Sequence, residues 1–125
     1  MAIQKILVVD DSATDSFYLS EILKGAGYEV SNADSGEACL ELLTREKPDV
    51  ILMDVLMPGL NGFQTTRAIT HNPETAHIPV IVCTGKAQLT DRVWALRQGA
   101  KECVAKPVSA EELLAKIQAL DEVNG

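Results

Sequence analysis

A chain of 125 residues, 46% of them hydrophobic, is long enough for one compact domain with a proper core. Its formal net charge of −7 argues against nucleic acid and anionic membrane as partners, since either demands a basic face. No run of 18 or more apolar residues occurs, and Met1-Ala2-Ile3-Gln4-Lys5 is not followed by the apolar stretch of a signal peptide, so a cytoplasmic location is expected.

Ile6-Leu7-Val8-Val9 forms the first apolar run, and it stops at Asp10 and Asp11. Leu19, Ile22, Leu23 and Ala26 then fall on one helical stripe, with Gly27 where a helix C-terminus favours a left-handed residue. A short strand is predicted around Glu29-Val30-Ser31, followed by a helix carrying Cys39, Leu42 and Leu43 that ends before Pro48. Val50-Ile51-Leu52-Met53 runs into Asp54. Beyond it the turn-rich loop Met57-Pro58-Gly59-Leu60-Asn61-Gly62 leads to a helix through Phe63, Arg67 and Ile69. Pro73 and Pro79 bracket the next connection. Val80-Ile81-Val82-Cys83 stops at Thr84, and a helix with Leu89, Val93 and Leu96 ends near Gly99. The short run Cys103-Val104-Ala105 meets Lys106-Pro107. Ser109 and Glu112 form a capping-box candidate ahead of Leu113, Leu114, Ile117 and Leu120.

Apolar runs with little alternation read as strands buried on both faces, and strands alternating with helical segments read as βα units. Five strands and five helices with short loops predict a three-layer α/β sandwich with right-handed crossovers around a parallel sheet. Parallel strands bring their C-terminal ends to one edge, where open α/β sheets hold ligands. Asp10, Asp11, Asp54, Thr84 and Lys106 should therefore converge on one crevice.

Adjacent carboxylates repel, so Asp10-Asp11 calls for a positive neighbour, and Mg²⁺ is the natural one; alternatively one of the pair caps the helix that follows. Asp54 can ligate the cation with one oxygen and act as a nucleophile with the other, giving an acyl phosphate, or it is a plain charge before a helix. Thr84 is either a hydrogen-bond donor to a phosphoryl oxygen or an ordinary strand-end residue. Lys106 needs an anionic partner wherever a buried strand ends, and can pair with a phosphoryl group as a point charge. Pro107 suggests a constrained turn for which a cis peptide bond is a candidate. Cys39, Cys83 and Cys103 are widely spaced in apolar surroundings and read as small buried hydrophobes rather than as a disulfide frame or zinc site. His71 and His77 read as surface residues, and Trp94 and Arg97 as ordinary packing and solvent-facing side chains. With no exposed apolar stripe evident, a monomer is expected.

These residues in this order resemble the CheY-like receiver domain of bacterial two-component response regulators, over the whole chain. The likeness lies in Ile-Leu-Val-Val-Asp10-Asp11-Ser12, Leu-Met-Asp54-Val-Leu-Met57-Pro58-Gly-Leu-Asn-Gly62, Thr84, and Gly99-Ala100 leading to Lys106-Pro107. The resemblance implies a flavodoxin-like (βα)5 sandwich with the parallel sheet in the order 2-1-3-4-5. It implies that Asp54 accepts a phosphoryl group from a CheA-like sensor histidine kinase or its phosphotransfer domain. Asp11, Asp54 and the carbonyl of Leu56 would ligate Mg²⁺ directly, and Asp10 through water. Thr84 and Lys106 would bind the phosphoryl group, and Thr84 would move toward it as the switch. A narrower likeness, in Met57 to Phe63, Asp91-Arg92-Val93-Trp94 and Leu96 to Lys101, is to stand-alone receivers that regulate type IV pilus twitching motility, with a downstream motility protein as partner. The family usually has Tyr or Phe where this chain has Cys103, which predicts a weaker or differently routed switch. Lys86 and Leu56 hold positions that tune acyl phosphate lifetime in the family.

The last helix is expected to end about five residues before the C-terminus with no effector domain after it, so residues 1–125 read as a single receiver that is a phosphoacceptor switch and not an enzyme. Three other readings compete. A haloacid-dehalogenase-like phosphatase wants a second Asp two residues after its nucleophile, where Leu56 stands. A flavin-binding domain wants a Ser/Thr/Gly-rich phosphate loop, where Asp10-Asp11-Ser12 would repel phosphate. A phosphorylation-independent scaffold, or a sink for phosphate from a shared kinase, remains the alternative.

Overall fold

In a computed structural model, which describes residues 3–85 and 89–124, strands and helices alternate along the chain. They are β1 (Lys5–Val9), α1 (Ala13–Gly25), β2 (Glu29–Ala33), α2 (Gly36–Leu42), β3 (Val50–Asp54), α3 (Gly62–Thr70), β4 (Val80–Thr84), α4 (Leu89–Arg97), β5 (Glu102–Ala105) and α5 (Ala110–Asn124). All neighbouring strands are parallel, in the order β2-β1-β3-β4-β5. This is the predicted flavodoxin-like sheet. The last helix runs longer than expected, reaching Asn124.

Strand side chains alternate between two cores. Leu7, Val9, Ile51, Met53, Val80, Val82 and Cys103 pack with Cys39 of α2, Ile69 of α3 and Ala95 of α4. Ile6, Val8, Val50, Leu52, Ile81, Cys83 and Val104 pack with Leu19 and Leu23 of α1 and Leu113 and Ile117 of α5. β1, β3 and β4 are thus apolar on both faces, which is why they read as unbroken apolar runs, whereas β2 at the sheet edge keeps Glu29 and Asn32 exposed. All three cysteines are free and buried, as expected, and burial pushes the thiols of Cys39 and Cys83 up to about 12.

The α4 helix departs from expectation. Val93, Trp94 and Leu96 are exposed, while Ala95 is fully buried. The absence of an exposed apolar stripe, on which the expectation of a monomer rested, does not hold. The Arg97 guanidinium lies 5.9 Å from the Trp94 ring centroid, covering part of that ring. His71 and His77 are exposed, as predicted. Among the described residues no helix is long and apolar enough to cross a membrane.

Candidate functional site

The register of the sheet builds the site. Val9 lies opposite Met53, so the next residues on each chain, Asp10 and Asp54, reach the same edge. Thr84 lies opposite Ala105, one residue before Lys106, and the Lys106 N–H donates to the Thr84 carbonyl at 2.8 Å. Asp10, Asp11 and Asp54 each offer an oxygen within 4.8 Å of the others'. Asp10 (3% exposed) and Asp54 (7%) are buried, whereas Asp11 faces solvent.

Lys106 holds this cluster together. Its Nζ lies 2.9 Å from Asp10 Oδ2, 2.9 Å from Asp54 Oδ1 and 3.1 Å from Asp15 Oδ2. An ammonium has three N–H donors, and here three carboxylates face it. Burial works against its charge, but the bonds to Asp10, Asp54 and Asp15 outweigh burial and hold Lys106 above the ordinary lysine range. Asp54 is pushed the other way. Burial raises its carboxyl above the usual range, with Asp10 and Asp11 adding to the effect against the opposing pull of Lys106.

The question of the helix cap is resolved by Ser12. Its Oγ accepts from the Asp15 N–H at 3.2 Å and caps α1, while its own N–H donates to Asp10 Oδ1 at 2.9 Å. Both oxygens of Asp10 are therefore engaged, and neither Asp10 nor Asp11 is the cap. Asp15 is the site residue that sequence reasoning missed. It stands in the first turn of α1, four residues after Asp11, and that closeness to the acidic pair is the signal that could have found it.

The remaining predicted residues fall around the same edge. Thr84 is buried at the end of β4, and Leu56 lies in the loop after β3 with its side chain exposed. Cys103 is fully buried in β5. The Lys106–Pro107 peptide is cis. Lys86 lies outside the described residues. The crevice, about 240 Å³, is lined by Asp10, Asp11, Asp15, Asp54, Leu56 and Lys106 among others. An all-oxygen donor set with two buried carboxylates and one open to water fits a hard divalent cation that keeps part of its hydration.

A parallel sheet in this order with an acidic crevice at its C-terminal edge defines a class. The family model of the response regulator receiver domain matches residues 6–118, and the chain belongs to that family. It is a homologue of Protein PilH of Pseudomonas aeruginosa, 50% identical over 116 residues, which cover 93% of this chain and 96% of that one. Chemotaxis protein CheY4 of Vibrio cholerae has the same fold, with a TM-score of 0.87 and 31% identity over 94% of this chain and 98% of its own. The receiver domain of the sensor histidine kinase PA1611 of Pseudomonas aeruginosa, solved with a magnesium ion coordinated in its active site cleft, gives a TM-score of 0.86. Its identity is 31% over 94% of this chain and 97% of its own.

Proposed function

We propose that Asp54 is the phosphoacceptor of a response regulator that takes a phosphoryl group from a CheA-like sensor histidine kinase, or its phosphotransfer domain, in type IV pilus motility signalling. The observation that carries this reading is the buried Asp54 carboxylate at the end of β3, with Asp10 and Asp11 oxygens within 4.8 Å and Lys106 Nζ at 2.9 Å. The 50% identity to PilH supports the pathway, and the magnesium-bound receiver of PA1611 supports the cation.

Asp11, Asp54 and the Leu56 carbonyl would hold Mg²⁺ directly, and Asp10 would hold it through water. The ion supplies charge neutralisation where anionic donor and anionic carboxylate must meet. The Asp54 carboxylate oxygen forms a bond to phosphorus as the P–N bond of the donor phosphohistidine breaks, its electron pair leaving on the imidazole, and the acyl phosphate that forms no longer offers Lys106 the same anionic oxygen. Lys106 then turns from the carboxylate to the phosphoryl oxygens, a rearrangement available to it because its contacts are point-charge contacts. Thr84, whose carbonyl is already tied to the Lys106 backbone, donates its hydroxyl to the phosphoryl group and transmits the change to α4 and β5. Pro107 sets the turn that carries Lys106. Cys103 lacks an aromatic ring to report the movement of Thr84, so the switch is weaker or differently routed. The altered face binds a downstream protein of the motility apparatus.

The test is intact mass after incubation with Mg²⁺ and a small phosphodonor, wild type beside Asp54→Ala. One phosphoryl adduct on the wild type alone supports the reading. No adduct from small donors or from the kinase, with Mg²⁺ bound, would leave a phosphorylation-independent scaffold in its place.

A further inference from the structure

Four carboxylates line the crevice, and they are not equivalent. Asp10, Asp11 and Asp54 are matched in formal charge by Lys106 together with one divalent cation. Asp15 is the charge left over. Its carboxylate stands at the mouth, half exposed, with Oδ2 3.1 Å from Lys106 Nζ. Its backbone does not swing freely, because the Asp15 N–H is bonded to Ser12 Oγ in the first turn of α1. A fixed negative charge thus borders the entrance that any phosphodonor crosses.

We infer that Asp15 is a specificity-determining residue that sets the acceptor against small, doubly charged phosphodonors and favours donors brought in by protein contact. The inference rests on the phosphoacceptor reading above. In the transfer, a lone pair of the Asp54 carboxylate forms the new O–P bond while the bond from phosphorus to the leaving atom breaks. With acetyl phosphate the electron pair leaves on acetate. With zwitterionic phosphoramidate it leaves on nitrogen, already protonated, as ammonia. The first donor brings two net negative charges and the second brings one. Coulomb repulsion from Asp15 is linear in donor charge, so its logarithmic effect on rate is about twice as large for acetyl phosphate. A phosphohistidine presented by a protein surface offsets that repulsion with contacts that a free metabolite lacks.

The experiment measures labelling rates by intact mass at saturating Mg²⁺ for wild type, Asp15→Asn and Asp15→Glu with each donor. Asn keeps an oxygen for Lys106 and removes the charge. It is expected to accelerate labelling by acetyl phosphate about fivefold and by phosphoramidate about twofold, an advantage that added NaCl narrows. Glu restores the charge and keeps the wild-type ratio of the two rates. Equal factors for both donors in Asp15→Asn, or no change, would overturn the inference and leave Asp15 as a plain support for Lys106. A wild type that neither donor labels overturns the phosphoacceptor reading itself, and that result is visible before any variant is compared.

Discussion

Lys106 and Asp54 depend on each other unequally. Lys106 faces three carboxylates at 2.9–3.1 Å, and its removal leaves Asp10 and Asp54 as buried charges with no ammonium between them. Lys106→Ala is therefore expected to cost roughly 3 kcal/mol in a urea titration without Mg²⁺. Replacing Asp54 does the reverse. A carboxyl whose folded value is raised binds its proton more tightly in the folded chain than in the unfolded one. Stability falls as pH climbs from the ordinary 3.8 through that raised value. At neutral pH, without metal, the ionised Asp54 is a net cost, and Lys106 keeps Asp10 and Asp15 when it is gone. Asp54→Asn is expected to gain about 1 kcal/mol at pH 7 and to lose that advantage when the titration is repeated below pH 4. Asp10, Asp11, Asp54, Thr84 and Lys106 were all legible from where apolar runs stop. Asp15 was not, because an Asp in the first turn of a helix already has a sufficient reason to be there.

At the scale of elements, the loop from β3 into α3 governs how firmly Asp54 is placed. The Gly62 N–H donates to the Val55 carbonyl at 2.9 Å, bringing the start of α3 against the strand end. A Cβ on Gly62 would overlap the Asp54 carbonyl oxygen and stand 2.8 Å from the Val55 Cα, both of them backbone atoms that cannot step aside. Gly62→Ala should cost about 2 kcal/mol and weaken Mg²⁺ binding together with it. Gly25→Ala, with nothing within 4 Å at the end of α1, should be neutral or slightly stabilising, and thermal melts of the two variants with calorimetric Mg²⁺ titrations check both outcomes. Asn61 and Gln64 add a reciprocal capping box to α3. The Ser109–Glu112 spacing gives a single capping bond, the Glu112 N–H donating to Ser109 Oγ at 3.3 Å. β1, β3 and β4 were legible because they are buried on both faces. The burial of α4 was not, since periodicity locates a helix but does not say how much of its apolar surface the sheet covers. With Ala95 as the residue pressed inward, Val93 and Leu96 stay in solvent.

For the whole molecule, the acidic crevice couples metal binding to folding. The chain carries −7 overall, and three of its carboxylates converge within 4.8 Å at the C-terminal edge of the sheet. That convergence exists only when β1 and β3 are paired, because unfolding separates Asp10 and Asp11 from Asp54 by more than forty positions of chain. A cation that binds the assembled edge and not the unfolded chain stabilises the fold by mass action. At ten times its dissociation constant that is about 1.4 kcal/mol, or roughly 5 °C in Tm for a domain of this size. Bulk salt acts differently, since it screens the exposed carboxylates and reaches the buried pair weakly. Mg²⁺ should therefore raise Tm by several degrees where NaCl at equal ionic strength raises it by less. Asp11→Asn and Asp54→Asn should each abolish the excess, whatever they do to the metal-free midpoint. Equal responses to Mg²⁺ and NaCl in the wild type would mean that the carboxylates act as diffuse surface charge and that Lys106 alone suffices to balance them.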